Sequence, residues 1–155
     1  MRGFTMIEMM VVVVIVAILT ALAAPSMGAM IRNQRVKTAA FDVFASISLA
    51  RAEAVKRNST VLITPNNSGD WTKGWVITDG NGNVIKTEKD RQVTSNELVM
   101  TGPVTVLYAN TGRLSSGTNP LNPKFNISTT GTNTLVRCVK VDPSGRPYST
   151  EATCT

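Results

Sequence analysis

The 155-residue chain contains no histidine. That removes the commonest general base and metal ligand, and the one side chain whose ordinary titration falls near neutral pH. A hydrolase built on this chain would need a Ser-Lys dyad or paired carboxylates, yet its 10 acidic residues are scattered and spacing singles out no pair. Cysteine is scarce too: Cys138 and Cys154 are the only two, with no CxxC pair, so nothing points to a zinc or redox site. There is no phosphate-cradling loop and no internal repeat. The "DGNGN" stretch (Asp79–Asn83) lacks the bidentate Glu that a calcium loop places at its twelfth position, and a hairpin turn is the simpler reading. The chain is therefore expected to carry no catalysis and to hold no metal or cofactor.

What is present is unevenly distributed. The one long apolar run lies in the first ~30 residues, together with six of the seven Met. The remainder is rich in Thr, Asn, Ser and Gly and reads as short strands and turns. The net charge is +6. That balance fits contact with anionic lipid head groups or nucleic acid, and equally a solvated basic surface. If the chain is exported, an even cysteine count suggests a Cys138–Cys154 disulfide closing the C-terminal tail, worth roughly 3 kcal/mol for a loop of this length; two free thiols are the alternative.

The opening "MRGFTMIEMMVVVVIVAILTALAAPSM" admits three readings. A cleaved secretory signal needs a basic start, an apolar centre and a small-residue cleavage site, and Arg2 with Ala21–Ala24 supplies these superficially. Glu8 interrupts the start of the apolar centre and argues against it. A plain transmembrane anchor needs about 20 apolar residues, a length reached here only by including Glu8. An intramembrane carboxylate is costly and marks a functional site by default. The third reading accounts for both features: "GFTMIE" (Gly3–Glu8) resembles the signature of type IV pilins and of the pseudopilins of type II secretion, with Met6 in place of the usual Leu, a volume-conserving exchange. The resemblance implies that residues 1–3 are a short leader, that a prepilin peptidase cuts after Gly3, and that the new N-terminus, Phe4, is methylated. It implies that residues 4–25 stay attached, first as a single-pass inner-membrane anchor with the C-terminal domain periplasmic, then as the helical core of an extracellular pilus. It also gives Glu8 a partner, the N-terminal amine of a neighbouring subunit, a pair that sets axial register. A helix N-terminal Glu favoured by the macrodipole is the simpler alternative.

Beyond the run, Val36, Ala39, Ala40, Val43, Phe44, Ile47, Ala50 and Ala54 recur at helical spacing. One helix of ~50 residues is expected from near Phe4 to about Asn58, bent at Pro25 and loosened at Gly28, with basic residues suiting its C-terminal dipole. Strands are expected over 60–65, 75–78, 84–87, 98–101, 104–108, 124–129 and 134–142, completing one sheet. Turns are expected over 66–70, 79–83 and 143–149, the last being "PSGRPYS". The fold class is α+β, a long N-terminal helix packed on an antiparallel β-sheet domain, with residues 26–155 forming one globular domain. Trp71 and Trp75 are expected to serve packing.

"ARAEAVKRNSTVLI", "DWTKGW", "ANTGR" and "DPSGRPYS" narrow the resemblance to the H-type pseudopilins and the FimT/FimU minor pilins. It implies assembly with other major and minor pilins. It also raises double-stranded DNA as a partner, because some FimT-type minor pilins bind DNA through a C-terminal Gly-Arg-x-Arg loop. Gly145 and Arg146 match that loop, while Tyr148 replaces its second Arg. Lys140 and Arg137 lie nearby as further DNA-binding candidates, although residues three apart on a strand point to opposite faces. "NST" at Asn58 and "NIS" at Asn126 match a glycosylation sequon, a weak signal in such a chain. Two function classes follow, an assembly subunit of a type IV pilus or a type II secretion filament, and a DNA-binding module.

Overall fold

A computed structural model describes residues 4–67, 69–89, 97–118, 120–130 and 135–154, with the side chains of 22–26 set aside. The leader expected at 1–3 and the side chain of Pro25, where a bend is expected, lie outside what is described. The chain divides into two compact units between Arg32 and Asn33.

Helix α1 is assigned over Met6–Arg57, 52 residues. In the first unit its described side chains are almost all apolar and exposed, from Phe4 and Met6 through Leu19. A helix apolar on every side is one made for lipid or for other helices. Among the described residues, no helix is long and apolar enough to cross a membrane.

The second unit is built on the other half of α1. Val36, Ala39, Ala40, Val43, Ile47, Ala50 and Ala54 are all buried. They form the stripe read from the sequence, except that Phe44 is only partly buried. Small residues dominate the stripe, so the strands can approach the helix backbone closely. Eight strands pack with it: β1 (Val61–Asn67), β2 (Asp70–Asp79), β3 (Val84–Thr87), β4 (Leu98–Thr101), β5 (Val106–Tyr108), β6 (Lys124–Thr129), β7 (Arg137–Val141) and β8 (Pro147–Thr150). They make two antiparallel four-stranded sheets, ordered β3-β2-β1-β5 and β4-β6-β7-β8, where one sheet is expected from the sequence.

Two further differences have local causes. β8 occupies residues expected to be turn, because only 142–146 form the turn and Val141 pairs with Pro147 across it. Proline opens the strand, where a missing N–H costs least. β2 extends well before Trp75, and β1 and β2 pair out to Asn67 and Asp70, past the expected turn boundary. The register shift there is taken up near Gly74, whose φ of 85° suits a bulge that a side chain would strain. Both tryptophans are buried as expected. The Trp71 ring meets Phe125 edge-on at 4.7 Å between centroids, and its Nε1–H donates to the Pro103 carbonyl at 2.9 Å.

Candidate functional site

Two regions carry the residues that the sequence marks. The first is the start of α1. Thr5 Oγ1 accepts from the Glu8 N–H at 3.3 Å, and the Thr5 N–H donates to Glu8 Oε2 at 3.5 Å. This reciprocal pair is a capping box. It satisfies two helix-terminal groups that apolar surroundings would leave bare, and it holds the carboxylate over the positive end of the helix. The Thr-x-x-Glu spacing is its sequence signal, which a reading of Glu8 by charge alone passes over. Phe4 precedes the box and is exposed; Gly3 lies outside the described residues.

The second region is a set of tight turns at one end of the sheets. In Asp142–Arg146 the Asp142 N–H donates to the Arg146 carbonyl at 3.1 Å, and the Gly145 N–H to the Asp142 carbonyl at 2.8 Å. Gly145 has φ 84°. Its conformation and its burial leave no room for a side chain, since a Cβ there would strike the Gly112 carbonyl oxygen and approach Tyr108 Cε1 to 2.8 Å. The buried Tyr108 hydroxyl donates to the Gly145 carbonyl at 2.9 Å. Burial pushes that phenol well above its usual value, so it stays a donor. The Ser144 hydroxyl, and after it the Arg146 N–H, holds the Asp142 carboxyl below its ordinary value. Arg146 itself projects from the exposed side of the turn.

The other marked residues are distributed by the pleat. Lys140 lies on the face away from the core, in register with Lys124 on β6 and Tyr148 on β8. The three border a shallow hollow of about 330 Å³ with Asn122 and Asp142. Arg137 shares the opposite face with the core residues Val139 and Val141, pairs with Glu151, and lines a groove with Lys37, Phe41 and Phe44 of α1. The structure thus keeps Lys140 near the turn and separates Arg137 from both. Cys138 and Cys154 are joined in a disulfide, their Cα atoms 5.2 Å apart. The tail it secures is also held by the Cys154 N–H on Asn126 Oδ1 at 3.4 Å, so Asn126, one of the sequon residues, is occupied in packing.

Arg51 is a residue the sequence reading does not pick out. Its Nε donates to the Gly112 carbonyl at 3.0 Å, tying α1 to the "ANTGR" turn, which is also held by Asn110 Nδ2 donating to Asn58 Oδ1 at 3.0 Å. Its position in "ARAEA" gives no local hint of this bond, made across 61 residues of sequence. Among the described residues, no three His, Cys, Asp or Glu side chains gather as a metal site.

Comparison with known proteins gives two family matches that together span most of the chain. The prokaryotic N-terminal methylation motif matches residues 1–24. The family described as type II transport protein GspH matches residues 39–145. No curated protein matches the chain. Two crystal structures of the type IV minor pilin FimU of Pseudomonas aeruginosa (strain PAO1) have a similar fold. The one in space group P21 is 20% identical, covers 74% of this chain and 87% of its own, and has a TM-score of 0.62. The one in space group P65 is also 20% identical, covers 74% of this chain and 91% of its own, and has a TM-score of 0.60. At that identity the likeness is one of fold, and the fold is the pilin-like α+β one expected. With the methylation motif at its start and the GspH match across most of its second unit, the chain belongs to the type II transport protein GspH family, a pilin-like family.

Proposed function

We propose that this chain is a minor pilin of a type IV pilus, assembled into the tip or priming complex that starts the filament. It works by polymerisation and carries no chemistry of its own. Prepilin peptidase removes residues 1–3 after Gly3, and Phe4 becomes the methylated N-terminus. Residues 4–25 hold the subunit in the inner membrane with the domain of residues 26–155 in the periplasm, then move into the helical core of the pilus among major and minor pilins.

The observation that carries this reading is the helix start. Its side chains are apolar on every side and exposed, and its only described charge is Glu8. Exposed apolar surface of that extent needs lipid or like helices around it. A carboxylate at that depth is tolerable when paired. The capping box meets part of the need, and the amine of a neighbouring subunit would meet the rest, so the pair forms only at one axial register. Mass spectrometry of sheared, washed filaments tests this. The chain should be recovered at low copy number with an N-methylated Phe4, and its absence from filaments while present in membranes would refute the reading.

The description of the matching family favours a second reading, a minor pseudopilin of a type II secretion system. The helix start would act in the same way there. Deleting the gene would then stop protein secretion and leave pilus-dependent motility and transformation intact, the reverse of the first reading.

A finer part of the proposal is that the pilin contacts double-stranded DNA through its C-terminal basic loop, Gly145 and Arg146 with Lys140 beside them. It is supported by the exposure of Arg146 on a turn whose backbone is locked by Tyr108. Arg137 is left out of this contact, since it faces the other side of the sheet and pairs with Glu151.

A further inference from the structure

The turn that carries Arg146 has a twin, and the two touch. In Ala109–Arg113 the Ala109 N–H donates to the Arg113 carbonyl at 2.9 Å, and the Gly112 N–H to the Ala109 carbonyl at 2.8 Å. That is the bonding of Asp142–Arg146, residue for residue. Gly112 has φ 73° where Gly145 has 84°. The Gly112 carbonyl oxygen sits where a Gly145 Cβ would go, so the two turns meet backbone to backbone. Each is fixed from beneath, by Arg51 Nε on the Gly112 carbonyl and by the Tyr108 hydroxyl on the Gly145 carbonyl. Both glycines are buried, and the residue after each is an exposed arginine, Arg113 and Arg146.

We infer that Arg113 and Arg146 act together as a two-point clamp on the phosphates of duplex DNA, Arg113 supplying the second guanidinium that Tyr148 does not. This rests on the DNA-binding reading above and adds a residue to it that lies outside the C-terminal loop. Each arginine Cα is about 3.8 Å from the Cα of a glycine that touches the other turn, so both guanidinium groups start from one small area. Arginine suits the task, because its planar fork grips phosphate oxygens in pairs. The backbones are already ordered, so little flexibility is lost when a ligand docks. Four other arginines of the second unit are engaged: Arg35 with Glu97, Arg51 with the Gly112 carbonyl, Arg57 with Glu53 and Arg137 with Glu151. The one carboxylate within the two turns, Asp142, is taken up by the Ser144 hydroxyl at 2.6 Å and the Arg146 N–H at 3.0 Å.

The test is fluorescence anisotropy of a labelled random-sequence DNA duplex with the full chain in a neutral detergent, titrated at several salt concentrations. Arg113→Ala and Arg146→Ala should each weaken binding about eightfold near 0.1 M salt and lower the slope of log K against log salt by about one. Arg113→Lys should keep the slope while binding more weakly than the parent. If Arg113→Ala binds with unchanged affinity and slope while Arg146→Ala loses both, the clamp is wrong and the loop reading stands. If the parent does not bind at low salt, or neither alanine variant differs from it, both fall. Arg113→Ala that loses affinity with no change of slope would also overturn the clamp, since the loss would then not come from a phosphate contact.

Discussion

Replacing Gly145 with alanine should be among the more damaging single-methyl changes in this protein, and the structure carries its own control. Asp79–Asn83, Ala109–Arg113 and Asp142–Arg146 are built alike, with Gly82, Gly112 and Gly145 at φ 85°, 73° and 84°. Alanine in that left-handed conformation costs about 1–2 kcal/mol wherever it stands. At Gly82 a Cβ would have nothing within 4 Å, so Gly82→Ala should show the backbone cost alone. At Gly112 the new methyl would lie 2.9 Å from Val55 Cγ2, the end of an exposed side chain able to shift. At Gly145 it would overlap the Gly112 carbonyl oxygen and lie 2.8 Å from Tyr108 Cε1. Neither neighbour yields easily, because Arg51 holds the carbonyl and Tyr108 is fully buried. Overpacking of that kind adds about 1–3 kcal/mol, for a total of about 2–5 kcal/mol. Urea unfolding of the full chain in detergent reads this out through the fluorescence of the buried Trp71 and Trp75. The expected order of loss is Gly82→Ala, then Gly112→Ala, then Gly145→Ala. Equal losses at Gly82 and Gly145 would show that the two Gly-Arg turns do not press together, and would remove the basis of the paired-arginine inference as well.

Other consequences are as direct. Replacing Cys138 and Cys154 with serine together should cost about 3 kcal/mol, read as a lower urea midpoint; no change would mean that the hydrogen bonds of the tail alone secure it. Trp71→Phe removes the donor to the buried Pro103 carbonyl and part of the ring that meets Phe125, for a loss of about 2–4 kcal/mol in the same assay. Asp79 is held below its ordinary value of 3.8 chiefly by the Asn83 side chain, and Asp142 likewise chiefly by Ser144. Both folded values are depressed, so their stabilising effect is complete above pH 3.8 and drains away as pH falls through the lower folded values. Unfolding midpoints of the parent should therefore fall on acidification below that point, and less steeply in an Asp79→Asn, Asp142→Asn double variant.

Much of the second unit is legible because its signals are local. The helix stripe from Val36 to Ala54 follows from a 3.6-residue period, and β3, β4 and β6 have the bounds expected of them from sequence. The opposite facing of Arg137 and Lys140 needs only the two-residue period of a strand. What cannot be read this way depends on which strands pair. β8 holds only four residues, the first of them a Pro, and becomes a strand because its hairpin neighbour β7 pairs with it. The division into two sheets depends on β5 returning to β1 and β4 pairing with β6, pairings that no local pattern encodes. The same holds at the turns. "ANTGR" and "DPSGR" each announce a glycine turn, but their contact, and the roles of Arg51 and Tyr108 beneath it, exist only once the sheets have formed.

The proposal that the charge of Glu8 brings this subunit into a filament stands or falls with Glu8→Gln. Glutamine can complete the capping box with Thr5, so the helix start survives while the charge is lost. Thr5→Ala is the complementary change, breaking the box and leaving the charge. Quantitative mass spectrometry of sheared filaments, set against the membrane pool, measures incorporation of each. Glu8→Gln should stay in the membrane and be lost from filaments, while Thr5→Ala should still be incorporated. Normal incorporation of Glu8→Gln would contradict the proposal and reduce Glu8 to a helix cap.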